Sequence, residues 1–223
     1  MACSRSRPPA RRCSSSVARR LAAARPVPSA SRRATDDEQR RARGRLREHA
    51  IGYDAIAIVT HVDNAVPRLS VGQLRALFSG EARDWSAVGG APGPVHLVMR
   101  PEELGGHEAL RLLLGDVRFV DGAEVLRSND ELVQRMKIDR GAVSFASFTV
   151  AGALRQVPVG RSEDGPFLAP SAATVRHGTY PLVRPLMFYS LGTPTGPETR
   201  FLEVMRGPAG QDALLAAGFV PLR

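Results

Sequence analysis

The chain has 223 residues, 43% of them hydrophobic, and a formal net charge of +9. That length holds one large domain or two small lobes, and no apolar run is long enough to span a bilayer. The charge is lopsided: residues 1–47 carry 14 Arg against Asp36, Asp37 and Glu38, leaving 17 basic against 19 acidic residues, a net of −2, in the rest. The bulk of the chain therefore lacks the broad basic surface of a nucleic-acid binder.

In chain order, residues 1–29 come first, a tract of Arg, Ser, Ala and Pro without hydrophobic periodicity. It is expected to be disordered, because it has too little apolar area to offset chain entropy. Its one apolar stretch, Val17 to Ala24, is broken by Arg19 and Arg20, so no secretory signal is visible. Two readings stand open: a tail for nucleic acid or an anionic surface, or residues that precede the true start of the protein. Cys3 and Cys13, the only cysteines, both lie here with no further metal ligands around them.

Helix starts are well marked beyond this tract. Thr35-Asp-Asp-Glu38, Ser70-Val-Gly-Gln73 and Ser128-Asn-Asp-Glu131 each fit the capping box, in which a hydroxyl and an acid or amide satisfy the first free N–H groups of a helix. The first predicts an Arg-rich surface helix ending near Arg47. The second predicts a helix burying Val71, Leu74, Leu77 and Phe78 and stopping at Gly80, and the third one burying Leu132, Val133 and Met136 before Gly141. A further helix is predicted from about Gly106 to Leu114. The C-terminal run Phe201–Gly218 reads as one helix, or as two broken at Gly207-Pro208. Strands are predicted at Ile51–Thr60, Val95–Met99, Ala142–Phe148, Leu154–Val159 and Leu182–Ser190. Strands alternating with helices indicate an α/β fold.

The stretch Ile51–Gly90 is an apolar strand, a Pro-containing turn, a capped helix and a loop with Trp85, the only Trp. It resembles the lobe-crossing segment of PstS-type phosphate-binding proteins, the extracytoplasmic solute receptors of phosphate ABC transporters. Gly141-Ala-Val-Ser-Phe-Ala-Ser147 looks like a second crossing segment. His177–Leu186, and Gly210-Gln211 followed by Gly218–Leu222, look like the family's late segments. The resemblance runs from about residue 30 to the end. It implies a two-lobed type II periplasmic-binding-protein fold, with residues 62–142 as the inserted lobe and 30–61 with 143–223 as the first lobe. The first lobe is expected to be incomplete, because the family's opening strand and its Gly-Ser-Ser/Thr-Thr turn have no counterpart before Ser29.

The resemblance also implies a non-enzymatic role: phosphate or a similar oxyanion held between the lobes, without cofactor or metal, for delivery to a membrane permease. A periplasmic or extracellular site, a monomer and no nucleic-acid partner go with it. Arg100 matches the family's anion-binding Arg, and the following Gly105, Gly106 and His107 stand near the family's Ser-Gly-Thr turn, with both hydroxyls lost. Ser31-Arg32 fits the place of a Ser-Arg pair. Each residue has a plainer alternative: a surface ion pair for Arg100, a helix-start surface residue for His107, a loop residue for Ser31. The lost hydroxyls leave a second reading of the whole, a degenerate relative that no longer binds phosphate and serves as an interaction domain. Asp54 is expected to mark the crossing strand structurally, and Trp85 to anchor the core. The five His residues are not spaced as a metal pair, and no nucleophile elbow or phosphate-cradling Gly loop is present.

Overall fold

The computed structural model describes residues 29–30, 33–102 and 105–222. The expected disordered tract, apart from Ser29, lies outside the described residues. Strands β1 (Ser29–Ala30), β2 (Leu46–Thr60), β4 (His96–Met99), β5 (Glu124–Val125), β6 (Ala142–Ser147), β7 (Arg155–Gln156) and β9 (Val183–Leu191) form one sheet. Its order is β1-β9-β2-β6-β4-β5, with β7 also on β2. Strands β3 (Leu69–Ser70) and β8 (Val159–Gly160) pair separately. The helices are α1 (Asp36–Arg41), α2 (Val71–Ser79), α3 (Gly105–Leu113), α4 (Asn129–Ile138), α5 (Phe148–Ala151), α6 (Ala172–Arg176), α7 (Pro197–Arg206) and α8 (Pro208–Ala216).

Strand β2 organises the molecule. Its first part, Leu46–Ala55, pairs antiparallel with β9, and its last part, Ile56–Thr60, pairs antiparallel with β6. Side chains on both its faces are buried from Ala55 onward, as expected where helices cover both sides of a sheet. One face of the β2–β6–β4 region packs Ile56, Ile58 and Phe145 against Leu74, Phe78 and Leu110. The other packs Ala57, Val59 and Ala146 against Leu132 and Met136 of α4. The β2–β9 region has two small cores of its own: Leu46, Met187 and Tyr189 on one side, Ile51, Phe188 and Leu202 on the other.

All three predicted capping boxes form, with both reciprocal hydrogen bonds in each. Helix α2 stops where predicted: Gly80 closes it in the left-handed conformation (φ 79°), and Val120 packs so close that a Cβ there would clash. Helix α1, however, ends at Arg41 rather than near Arg47. Arg43 and Gly44 turn to positive φ (52° and 68°), and the chain enters β2 at Leu46, which is buried opposite Leu191. Pairing with a strand far along the chain overrides local helix propensity here. The expected strand Leu154–Val159 splits into β7 and β8 at Val157-Pro158, since proline has no N–H to give a ladder. At the C-terminus the two-helix alternative holds, with Gly207 extended (φ −78°, ψ 171°) and Pro208 opening α8. Helix α6 carries an additional capping box, built from Ser171 and Thr174.

The segment Gly141–Ser147, expected as a second lobe crossing, forms β6. Strand β6 pairs with the late part of β2 and runs parallel to β4, so Gly141–Ser147 stays within one half of the sheet. The strand that flanks the early part of β2 is β9. Val157, Val159, Val175, Tyr180 and Leu182 accordingly share the core of Leu74 and Phe78, although the expected division put them in the first lobe. Trp85 is buried and donates from Nε1 to the Gly141 carbonyl at 3.1 Å, an anchor between loops.

Candidate functional site

The parallel strands β4 and β6 end side by side at Met99 and Ser147. Helix α3 leaves β4 to pack on one face of the sheet, while α4 packs on the other. The starts of two helices on opposite faces thus flank the carboxyl ends of the strands, the usual place for a ligand crevice in an α/β sheet. A cavity of about 150 Å³ lies there, lined by Asp54, Ile56, Arg100, Gly106, Asn129, Leu132, Phe145, Ala146, Ser147 and Arg184.

Asp54 and Arg184 face each other in the β2–β9 register, one residue before β2 changes partner. Arg184 donates to Asp54 Oδ2 from Nε (2.8 Å) and Nη2 (2.5 Å). The Asp54 side chain is 1% exposed and that of Arg184 15%. Asp54 Oδ1 is also buried, yet it has no hydrogen-bond partner among the described residues. A buried carboxylate oxygen without a donor is costly, and such groups concentrate where a ligand completes them.

Arg100 stands just beyond the end of β4. Its Nη2 donates to the Arg127 carbonyl at 3.3 Å, while its buried Nη1 has no acceptor among the described residues. Desolvation lowers its pKa, against the opposing pull of Glu131. Glu131 is itself held below the usual carboxylate range by the Ser128 and Arg127 N–H groups that it caps. Ser147 is the N-cap of α5 but makes no side-chain capping bond. Asn129 is the first residue of α4, and Gly105 and Gly106 open α3. Free N–H groups at helix starts favour a negative charge.

Of the residues singled out in the sequence, Arg100 and Gly106 line the cavity, and Gly105 begins the helix beside it. The His107 ring instead packs edge-on against Phe119, with centroids 4.8 Å apart, and burial lowers its pKa. Ser31 and Arg32 lie outside the described residues. Asp54, Arg184, Asn129 and Ser147 were not read as site residues. The available signal was Asp54 itself, a carboxylate inside the apolar run Ile51–Thr60. Among the described residues no group of three or more His, Cys, Asp or Glu is placed to hold a metal.

Two guanidiniums, one carboxylate and two helix starts surround this small cavity, set in a two-lobed α/β framework of the periplasmic-binding-protein type. The sequence profile of the PBP superfamily domain matches residues 26–216, and the chain belongs to that superfamily. It is 24% identical over 184 residues to the phosphate-binding protein PstS of Bacillus subtilis, covering 79% of this chain and 58% of that one. It is 25% identical over 192 residues to PstS of Pseudomonas aeruginosa, covering 77% of this chain and 59% of that one. The chain thus spans less than two thirds of the length of these curated relatives. An ABC-type phosphate transport receptor from Vibrio cholerae superposes with a TM-score of 0.76 at 21% identity, over 87% of this chain and 79% of that chain.

Proposed function

We propose that the chain is the solute-binding component of an ABC transporter, holding phosphate or a similar oxyanion between two lobes without catalysis. The observation that carries this reading is the cavity where Asp54 Oδ1 and Arg100 Nη1, both buried, lack partners among the described residues while residues at two helix starts line the same space. Asp54 Oδ1 accepts a hydrogen bond, which a protonated phosphate supplies and a fully ionised sulfate does not. The relatives named as phosphate-binding proteins support the same ligand class.

In this reading β2 and β9 are the two lobe-crossing strands. Residues 55–183 form the inserted lobe, wider than 62–142, and 29–54 with 184–222 belong to the other. Closure of the lobes on the anion presents it to a membrane permease on the extracytoplasmic side, with the receptor acting as a monomer. Among the described residues no helix is long and apolar enough to cross a membrane.

The test is calorimetric titration of the purified protein with inorganic phosphate, sulfate and methylphosphonate. Saturable binding of a phosphorus oxyanion, weakened at least about tenfold in Arg100→Ala, is expected from the loss of a charge-assisted bond. Absence of binding to all three at millimolar concentration rejects the reading in favour of a relative that has lost its ligand.

A further inference from the structure

The lining of the cavity is of two kinds. Asp54, Arg100, Arg184, Asn129 and Ser147 are polar, while Ile56, Leu132, Phe145 and Ala146 are apolar. Apart from Asp54, the polar members are the less buried ones: Asn129 is exposed, and Arg100, Arg184 and Ser147 are intermediate. The apolar members are all deeply buried, from 1% exposed at Leu132 to 5% at Ala146. Helix α3 adds no side-chain donor at its start, because its first two residues are glycines, and Gly106 lies over Phe145.

Inorganic phosphate carries oxygen in all four tetrahedral directions. In this cavity an oxygen turned toward Ile56 and Phe145 gives up water and meets no polar side chain among the described lining residues on that side, and that loss is uncompensated. A tetrahedral anion with one oxygen replaced by an alkyl group avoids the loss and buries apolar surface instead. The unpartnered Asp54 oxygen narrows the choice further, because it requires an acidic hydrogen on the ligand. Sulfonates and carboxylates have none at neutral pH, whereas a singly ionised phosphonate has one P–O–H. The cavity, about 150 Å³, is small for a ligand pocket, which favours a short substituent.

We propose that the preferred ligand of this cavity is a short alkylphosphonate, with its charged oxygens on Arg100, Arg184 and the helix starts, its P–O–H on Asp54 and its alkyl group against Ile56 and Phe145. This rests on the reading of the cleft as an oxyanion site and sharpens its ligand class. In titrations of the full chain, methylphosphonate binds at least about tenfold more tightly than inorganic phosphate. Methanesulfonate, of the same shape but without the acidic hydrogen, shows no saturable binding. Gly106→Ser places a hydroxyl beside Phe145, where its Cβ meets Phe145 Cε2 at 3.4 Å, and narrows the gap between the two phosphorus ligands. Phosphate binding as tightly as methylphosphonate overturns the proposal and leaves the oxyanion-receptor reading intact. Methanesulfonate binding as well as methylphosphonate overturns the role of Asp54, and with it the proposal. Failure of every oxyanion to bind overturns both.

Discussion

The two walls of the cavity are built on opposite plans. On β2 and β9, Asp54 and Arg184 sit in a ladder beyond its register shift at Ala50–Gly52, with their pairing already made, and one carboxylate oxygen is left over. On the other wall, Arg100 and the starts of α3 and α4 are held at the ends of elements, and their donors point outward from helices capped or opened by small residues. The first wall contributes an acceptor, and the second contributes donors held at the ends of elements. In the proposed receptor, selectivity belongs chiefly to β2 and β9 and affinity chiefly to the helix starts.

Asp54→Ala breaks this division most severely. It removes one partner of the largely buried Arg184 guanidinium, and loss of one partner of a buried pair costs on the order of 3 kcal/mol. The midpoint of thermal unfolding falls by roughly 6–12 °C, at about 2–4 °C per kcal/mol for a chain of this size. A midpoint unchanged within about 1 °C would mean that the pair contributes to neither wall.

Two serines at helix starts sharpen the comparison at an intermediate size. Ser70 caps α2 through the Gln73 N–H, whereas Ser147 caps nothing. Ser70→Ala lowers stability in urea by about 1 kcal/mol and leaves ligand affinity unchanged. Ser147→Ala changes stability by less than about 0.5 kcal/mol and weakens oxyanion binding. Equal stability losses in the two variants would place Ser147 with the structural caps.

The smallest effect concerns His107, whose folded-state pKa is lowered chiefly by burial, with Arg111 adding and Glu102 opposing. A lowered imidazole pKa means that the unfolded chain binds the proton more readily, so this stabilisation is present above the ordinary value of 6.5 and is lost as pH falls below it. His107→Gln therefore flattens part of the decline in unfolding midpoint between neutral and mildly acid pH. An identical pH profile would show that the ring is well solvated against Phe119.

What the sequence revealed and what it hid follow one rule. Ser70, Ser128, Gly80 and Pro208 speak about neighbours three or four residues away, and the caps, stops and breaks that they predict all form. Leu46 gave a helical signal within an Arg-rich stretch, but its partner is Leu191, and no local pattern announces a strand so distant. The same distance hid the pairing of β9 with the early part of β2. At the site, Arg100 was legible because it ends an apolar strand, and Asp54 was visible as an anomaly in another. Their meeting with Arg184 was not legible, because three strands from separate parts of the chain converge to make it. Helix α6 went unread because Thr174 stands where a capping box usually has an acid or amide.

The change of partner along β2 has a mechanical consequence. Asp54 ends the stretch laddered to β9 together with Ala55, and Ile56 begins the stretch laddered to β6. Tyr180 also ties its hydroxyl to the Ile56 carbonyl at 2.9 Å, pinning the strand from the side. Any rotation of one half of the sheet against the other twists the strand between these points. The side chains of Asp54 and Ile56 then shift relative to each other by the same twist. In the proposed receptor the strand works as a torsion gauge, and an anion seated on it registers how far one half has turned against the other.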